Sequence, residues 1–532
     1  MAHLSTPRLP NELLALIFGQ FCLHCQHAYN ESWDQRPLRP IESDRKLQQA
    51  NAKPWYAIDR QALCSLSLTC RQFRDVAQSI LYHEFVLGYG DSWYSDAYQW
   101  KDRLAPFIRT LARRPDLARL VKVIHISHHT LSTSVDEEQS RRNILLETAS
   151  ALGVNLPAAW KKRVEIRDSI CLSDKFDWPD VYPIFSEFYL DDHPRMTEKQ
   201  ERQLRRAMTQ KSMPGRRWMN AELVAMLLAH APNIDIISIQ SSPGWPTCGI
   251  AESSLPALGV THLPVKRLDL GMLAGPIIKI SDNLETLNLQ GYIGNLGSEK
   301  IEMPCLKTLR ITDGFLSAER LSNVLEGCTG GLVSFEYEAG QRRRQINDRT
   351  PDDAIFQLSD AIDSLQRHKS TLQILHLDLS ARHRDIRRSR SGVNMRDFTA
   401  LKHLWISILL LFPNPFPPTL GLPVNAAMSP ADAEILVEFL PRSIVSLEIY
   451  HDSRRLVSNA LHGLLAVKSD KFPLLKVVCG PGARGNLGQA FEAEGVSFNT
   501  SVHHLCRAKT YLQGLNTDSR LEFRDWDSDD EV

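Results

Sequence analysis

The chain of 532 residues has no run of about 18 apolar residues, so no membrane-spanning helix is expected. It also lacks an excess of charge of either sign. Sixty-two basic side chains balance 62 acidic ones, for a formal net charge of zero. That balance favours neither nucleic acid nor an anionic membrane surface as a partner. The opening residues, MAHLSTPRLPNELL, have neither the basic start nor the long apolar core of a signal peptide. The 10 cysteines are too sparse and irregular for a disulfide scaffold in a chain this long. Reduced thiols in the cytoplasm or nucleus are the expectation. What is present is ordinary globular composition, 43% apolar and 23% charged.

The first apolar pattern is helical. In RLPNELLALIFGQF, Pro10 suits a first turn, where a missing N–H costs nothing. Leu13, Leu14, Ile17, Phe18 and Phe21 then fall on one helical face. Residues 27–59 are polar and proline-bearing and read as an inserted surface loop. The pattern resumes in ALCSLSLTCRQFRDVAQSILYHEF. There Leu63, Leu66, Cys70, Phe73, Ala77 and Ile80 step by three and four residues, with a break expected near Thr69. Short helices of this kind bury little surface alone, so some apolar faces must meet the rest of the chain or a partner.

The remainder repeats a pattern of apolar-x-x-apolar-x-apolar. Copies begin at Ile234 (IDIISI), Val265 (VKRLDL), Leu284 (LETLNL), Leu306 (LKTLRI) and Leu332 (LVSFEY). Others begin at Leu372 (LQILHL), Leu401 (LKHLWI), Ile444 (IVSLEI) and Leu474 (LLKVVC), and VKVIHI from Val121 is an outlying first copy. In the last full copy the inward positions are expected at Leu474, Val477 and Cys479. The closing alternation of each copy is a short strand with every second side chain buried. Amphipathic stretches such as NAELVAMLLAHA, AERLSNVLEGC and ADAEILVEFL lie between copies. Strand then helix, repeated, predicts an α/β array with parallel strands inside and helices outside. A doubly wound sheet also alternates strand and helix. Many strands with one shared signature argue instead for a solenoid. The spacing is irregular: Val265 to Leu284 is 19 residues, Leu401 to Ile444 is 43.

Two resemblances follow. The pair LPNELLALIF and ALCSLSLTCRQFRDVAQSILY resembles the F-box, in its fungal form with an insertion after the first helix. The family's opening Leu-Pro matches Leu9 and Pro10, and its first-helix positions match Glu12, Leu13, Leu14 and Ile17. Its second-helix run matches Leu66, Leu68, Cys70, Arg71 and Phe73, with Phe where Trp is usual. The repeats resemble the leucine-rich repeat in degenerate form, without the Asn that typically follows the strand. The resemblances imply an all-α F-box-like module over residues 4–85, carrying the loop 27–59. A connecting region of 86–230 would hold first repeats and a charged insertion. A leucine-rich-repeat-like solenoid would span 231–512, before an acidic, disordered tail of 513–532. The function implied is substrate recognition for a Skp/cullin/F-box ubiquitin ligase. Leu9, Pro10, Leu13, Ile17, Leu66, Leu68, Cys70 and Phe73 would face the Skp-type adaptor, and through it a cullin. The solenoid's concave face and strand-following loops would hold an unidentified substrate protein. The chain would do no chemistry itself and need no cofactor. The alternative is a scaffold or regulatory repeat protein that never joins a ligase.

Other motifs are weighed against plainer roles. CLHCQH (Cys22, His24, Cys25, His27) has zinc-ligand letters, and a structural zinc site needs four converging ligands. On a continuing helix these residues spread around the axis, and no second Cys/His pair is suitably spaced. No metal site is therefore expected, and Cys22 and Cys25 read as small core or surface residues. His125, His128, His129, His503 and His504 read as turn or surface histidines. The arginines of QRRRQ (342–344) and RHRDIRRSRSG (382–390) offer charge-assisted bonds to an acidic or phosphorylated segment, but read first as solvated loops. LFPNPFPPTLGLP (411–423) is a proline-rich surface loop. Finally, Gly480, Gly482 and Gly485 spell the dinucleotide-binding G-x-G-x-x-G between a strand and a helix. The acid that such a fold puts on the ribose about 20 residues on is replaced by Asn499, Thr500 and Ser501. These glycines read as a tight turn from the last repeat strand into a terminal helix.

Overall fold

A computed structural model of the protein describes residues 9–26, 55–87, 104–126, 138–162 (apart from 157, 160 and 161), 218–239, 254–271, 275–290, 300–340, 356–379, 393–411 (apart from 408 and 409), 430–450, 454–480 and 486–499. Twelve strands make one sheet: β1 (Glu84–Leu87), β2 (Val123–Ile126), β3 (Ile236–Ile239), β4 (Arg267–Gly271), β5 (Thr286–Gln290), β6 (Thr308–Gly314), β7 (Ser334–Ala339), β8 (Ile374–Asp378), β9 (His403–Ser407), β10 (Ser446–Tyr450), β11 (Val477–Cys479) and β12 (Ser497–Asn499). Every neighbouring pair is parallel, and spatial order follows chain order from first to last. A doubly wound sheet reverses its order at a switch point. None occurs here, so the α/β chain is a one-dimensional array in which each unit packs on its predecessor.

Parallel neighbours need crossovers, and helices supply several of them. Ala318–Gly327 links β6 to β7, Leu358–Leu365 links β7 to β8, and Pro430–Phe439 links β9 to β10. Arg454–Ala466 then precedes β11, and Leu487–Ala493 joins β11 to β12. Their starts are locally encoded. Ser317 caps the first by accepting the Arg320 N–H at 3.3 Å, and Asp360 reaches back to the Gln357 N–H at 2.7 Å.

Register aligns the repeats in rows. Leu268, Leu287, Leu309, Phe335 and Leu375 pair in successive strands, all fully buried, and the helices pack onto this row in one continuous core. The residues just before β2 to β6 form a partly exposed charged edge. Lys122 and Lys266 flank Asp235 at 3.6 and 3.7 Å, and Lys307 meets Glu285 at 3.0 Å. Like charges are thus kept apart along the edge.

The structure shifts three sequence readings. In the last full copy, Val478 rather than Val477 pairs with Leu447. Leu475 is buried, Leu474 is 51% exposed, and Cys479 pairs with Glu448. With a two-residue side-chain period, this one-residue slip exchanges the faces. The sheet also extends past the recognised copies. It gains β1, at the end of the segment read as helical, and the short strand VSFNTS, read as following the last repeat, joins it as β12. Third, helix begins at Trp55, inside the segment read as loop to residue 59.

Among the described residues three helices precede the sheet: α1 (Asn11–Gly19), α2 (Trp55–Ser67) and α3 (Arg71–Leu81). The break near Thr69 falls between α2 and α3, where Cys70 caps α3 by accepting the Phe73 N–H at 3.4 Å. Leu14, Phe18, Cys22, Leu63, Val76, Ala77 and Ile80 make a small core of their own, separate from the sheet's. Among the described residues no helix is long and apolar enough to cross a membrane.

Candidate functional site

A seven-residue core leaves much of the three helices' apolar surface outside. Of nine large apolar side chains exposed among the described residues, six belong to this segment: Leu9, Leu13, Leu16, Ile17, Ile58 and Leu68. Leu13 and Ile17, four residues apart, lie on one stripe of α1, and Leu9 is exposed just before its start. Leu14 and Phe18, one position on, point into the core. Leu68 and Cys70 are exposed in the turn between α2 and α3. Gln72 draws that turn toward α1, its side-chain amide donating to the Leu9 carbonyl at 2.8 Å and to Asn11 Oδ1 at 3.0 Å. Pro10 is exposed at the head of α1, with ψ of 147° placing it just outside the helix.

Of the eight adaptor-facing candidates, Leu9, Pro10, Leu13, Ile17, Leu68 and Cys70 are therefore exposed. Leu66 and Phe73 are half-buried against the small core, and Phe73 stacks edge-on against Phe18 at 5.3 Å between ring centres. The family pattern did not mark Leu16 and Ile58, which join the exposed apolar surface. The signal for Leu16 was available, since it sits off the inward face of its helix, whereas Ile58 lay in the segment read as loop.

The face of the sheet opposite the helices carries polar side chains, as alternation requires. Arg267 and Asn288 both donate to the Asp269 carboxylate, Arg310 pairs with Glu336, and the His376 and Trp405 rings stack at 3.9 Å. His125, read as a surface histidine, is instead fully buried in β2, 3.0 Å from Ser238 Oγ in β3. Both arginine clusters, the proline-rich loop from 412, His27, His128, His129, His503, His504, Gly482, Gly485 and the acidic tail lie outside the described residues. Gly480 faces ordinary contacts with Leu461 and Val457, and its N–H donates to the Asn499 carbonyl at 3.0 Å, joining β11 to β12.

One expectation is overturned. α1 stops at Gly19, so Cys22, His24 and Cys25 lie in a turn rather than spreading around a helix. His83, the residue before β1, brings its ring into the same place. One ligand atom from each of the four side chains lies within 4.8 Å of every other. Cys25 Sγ is 3.3 Å from His83 Nδ1 and 4.0 Å from His24 Nδ1, and Cys22 Sγ is 4.0 Å from His83 Nδ1. Sequence reasoning missed His83 because its partners are 58 and 61 residues away. Contact with Cys25 and then burial push the Cys22 thiol up to about 12, while the same contact holds Cys25 below the ordinary thiol value.

No family model matches the chain, and no curated protein sequence matches it significantly.

Proposed function

We propose that this protein is a substrate-recognition subunit of a Skp/cullin/F-box ubiquitin ligase. Its N-terminal helices are an F-box-like module, and its array is a degenerate leucine-rich-repeat-like solenoid. The observation that carries the reading is the exposed apolar stripe of α1 beside the α2–α3 turn. Six of the eight adaptor-facing positions implied by the resemblance are exposed, although most are apolar. Water does not favour such a surface, and an apolar partner groove does. On this reading Leu9, Leu13, Ile17 and Leu68 are the anchors. Leu66 and Phe73 support them from the small core, and Cys70 fixes the turn by capping α3. The repeat array holds the substrate protein and brings it to the ligase. The chain supplies recognition and geometry and no bond-making chemistry.

Affinity purification of the full chain from its native cell tests this. The Skp-type adaptor should co-purify. Leu13→Asp with Ile17→Asp puts two charges into the docking surface without touching the core, and removing two anchors should cost about 2–4 kcal/mol, or 30- to 1,000-fold in affinity. Adaptor recovery unchanged by the double variant would count against the reading.

A further inference from the structure

We propose that Cys22, His24, Cys25 and His83 form a structural zinc site joining the N-terminal helices to the sheet. Tetrahedral zinc with Zn–S near 2.3 Å and Zn–N near 2.1 Å places its sulfur and nitrogen ligands about 3.6 Å apart. The three sulfur–nitrogen separations here, 3.3, 4.0 and 4.0 Å, bracket that value. Four side chains converge, two thiols and two imidazoles, and that donor set selects zinc over hard cations. Two thiol–imidazole hydrogen bonds would need only pairwise approach. Mutual convergence of all four atoms is what a single ion requires.

The surroundings fit. Glu84, almost fully buried, accepts the His24 backbone N–H at 3.1 Å and holds the turn in place. Arg60 balances that carboxylate at 3.3 Å. Zinc with two thiolates and two neutral imidazoles is formally neutral, and the Glu84–Arg60 pair is neutral too. Burying the whole assembly therefore leaves no net charge to desolvate. Loading releases the two thiol protons to solvent as the ion takes their place. All four positions are filled by protein, as in structural rather than catalytic zinc sites.

The location gives the site a purpose. The helical segment's core is too small to hold it firmly, and small units of that kind commonly use a metal. His83 sits between two cores. Its carbonyl accepts the Lys122 and Val123 N–H groups at 2.7 and 3.0 Å, the first rungs onto β2. Its chain neighbour Tyr82 stacks on Phe107 at 5.9 Å, and both pack against the sheet's core. An ion there fixes the end of α1 to the entrance of the array, so the proposed adaptor face would be held at a set angle to the repeats.

Metal analysis of the purified full chain, reconstituted with zinc and desalted, is the test. One zinc per chain is expected. Cys22→Ser with Cys25→Ser, and separately His83→Ala, should lower occupancy at least 10-fold, while Cys305→Ser, an exposed cysteine elsewhere, should leave it unchanged. Should those variants fail to fold, cobalt titrated into the demetallated wild-type chain gives a separate readout. Tetrahedral thiolate–imidazole cobalt shows intense visible absorption with a sulfur-to-metal charge-transfer band. Zinc well below one-tenth per chain together with no such spectrum overturns the proposal. Full occupancy in His83→Ala would overturn it as well.

Discussion

Truncating Leu475 to alanine removes an isopropyl group from a side chain that is 1% exposed and packed in the main core. The lost transfer free energy is about 2.4 kcal/mol at 0.8 kcal/mol per methylene, and the cavity left behind raises the cost to about 3–4 kcal/mol. The same change at Leu474, 51% exposed, loses about half the transfer term and leaves no cavity, so it should cost about 1 kcal/mol or less. The two residues are adjacent and identical, and both precede β11. Only register distinguishes them, and the repeat pattern read from sequence points the opposite way. Units near the end of a one-dimensional array open before the middle does. The measurement should therefore be native-state hydrogen exchange at the β10–β12 amides, alongside denaturant unfolding. Leu475→Ala should speed exchange there by about two orders of magnitude, since 1.4 kcal/mol is tenfold, and Leu474→Ala by less than about tenfold. A larger effect at Leu474 would refute the register.

Two further perturbations probe the array. Gly463→Ala would improve helix propensity by about 0.5–1 kcal/mol in isolation, yet its new Cβ would sit 1.8 Å from the Ala433 carbonyl oxygen of the neighbouring helix. Separating Arg454–Ala466 from Pro430–Phe439 should outweigh the gain and destabilise by about 1–3 kcal/mol, so an unchanged or raised Tm would contradict the close packing. His368 is buried, with the Leu332 N–H 3.3 Å from Nδ1 and the Leu325 carbonyl 3.2 Å from Nε2, an arrangement that holds it neutral. Burial lowers its pKa below 6.5 in the folded chain. The unfolded chain then takes up a proton first as pH falls through 6.5, and stability contributed by the neutral ring is lost below that value. Unfolding across pH 7.5 to 5 should show this loss, and it should shrink in His368→Gln.

The sequence made the array legible because each repeat writes its inward positions twice, in the strand and in the helix that follows. Ten of the twelve strands lie in the recognised copies of the six-residue signature. β1 fits the same pattern with Tyr82, Phe85 and Leu87 but ends a run read as helical, and β12 departs from it, with Gly495 three residues before its inward Phe498. The slip at Leu474 arose because Leu474, Leu475, Val477 and Val478 fit either face by hydrophobicity alone. The apolar stripe of α1 could be read as helical, but which half faces out depends on a core completed by α2 and α3. The thiol–imidazole cluster was hidden for a related reason. Its fourth ligand comes from the other end of the helical segment, and only the fold carries His83 back to Cys22 and Cys25.

The account stands most directly on a binding titration between the purified full chain and the Skp-type adaptor. Saturable one-to-one binding that weakens at least 30-fold in Leu13→Asp/Ile17→Asp, with hydrogen exchange of the sheet unchanged, is the predicted result. Absence of binding by the folded wild-type chain, or equal binding by the double variant, would contradict it.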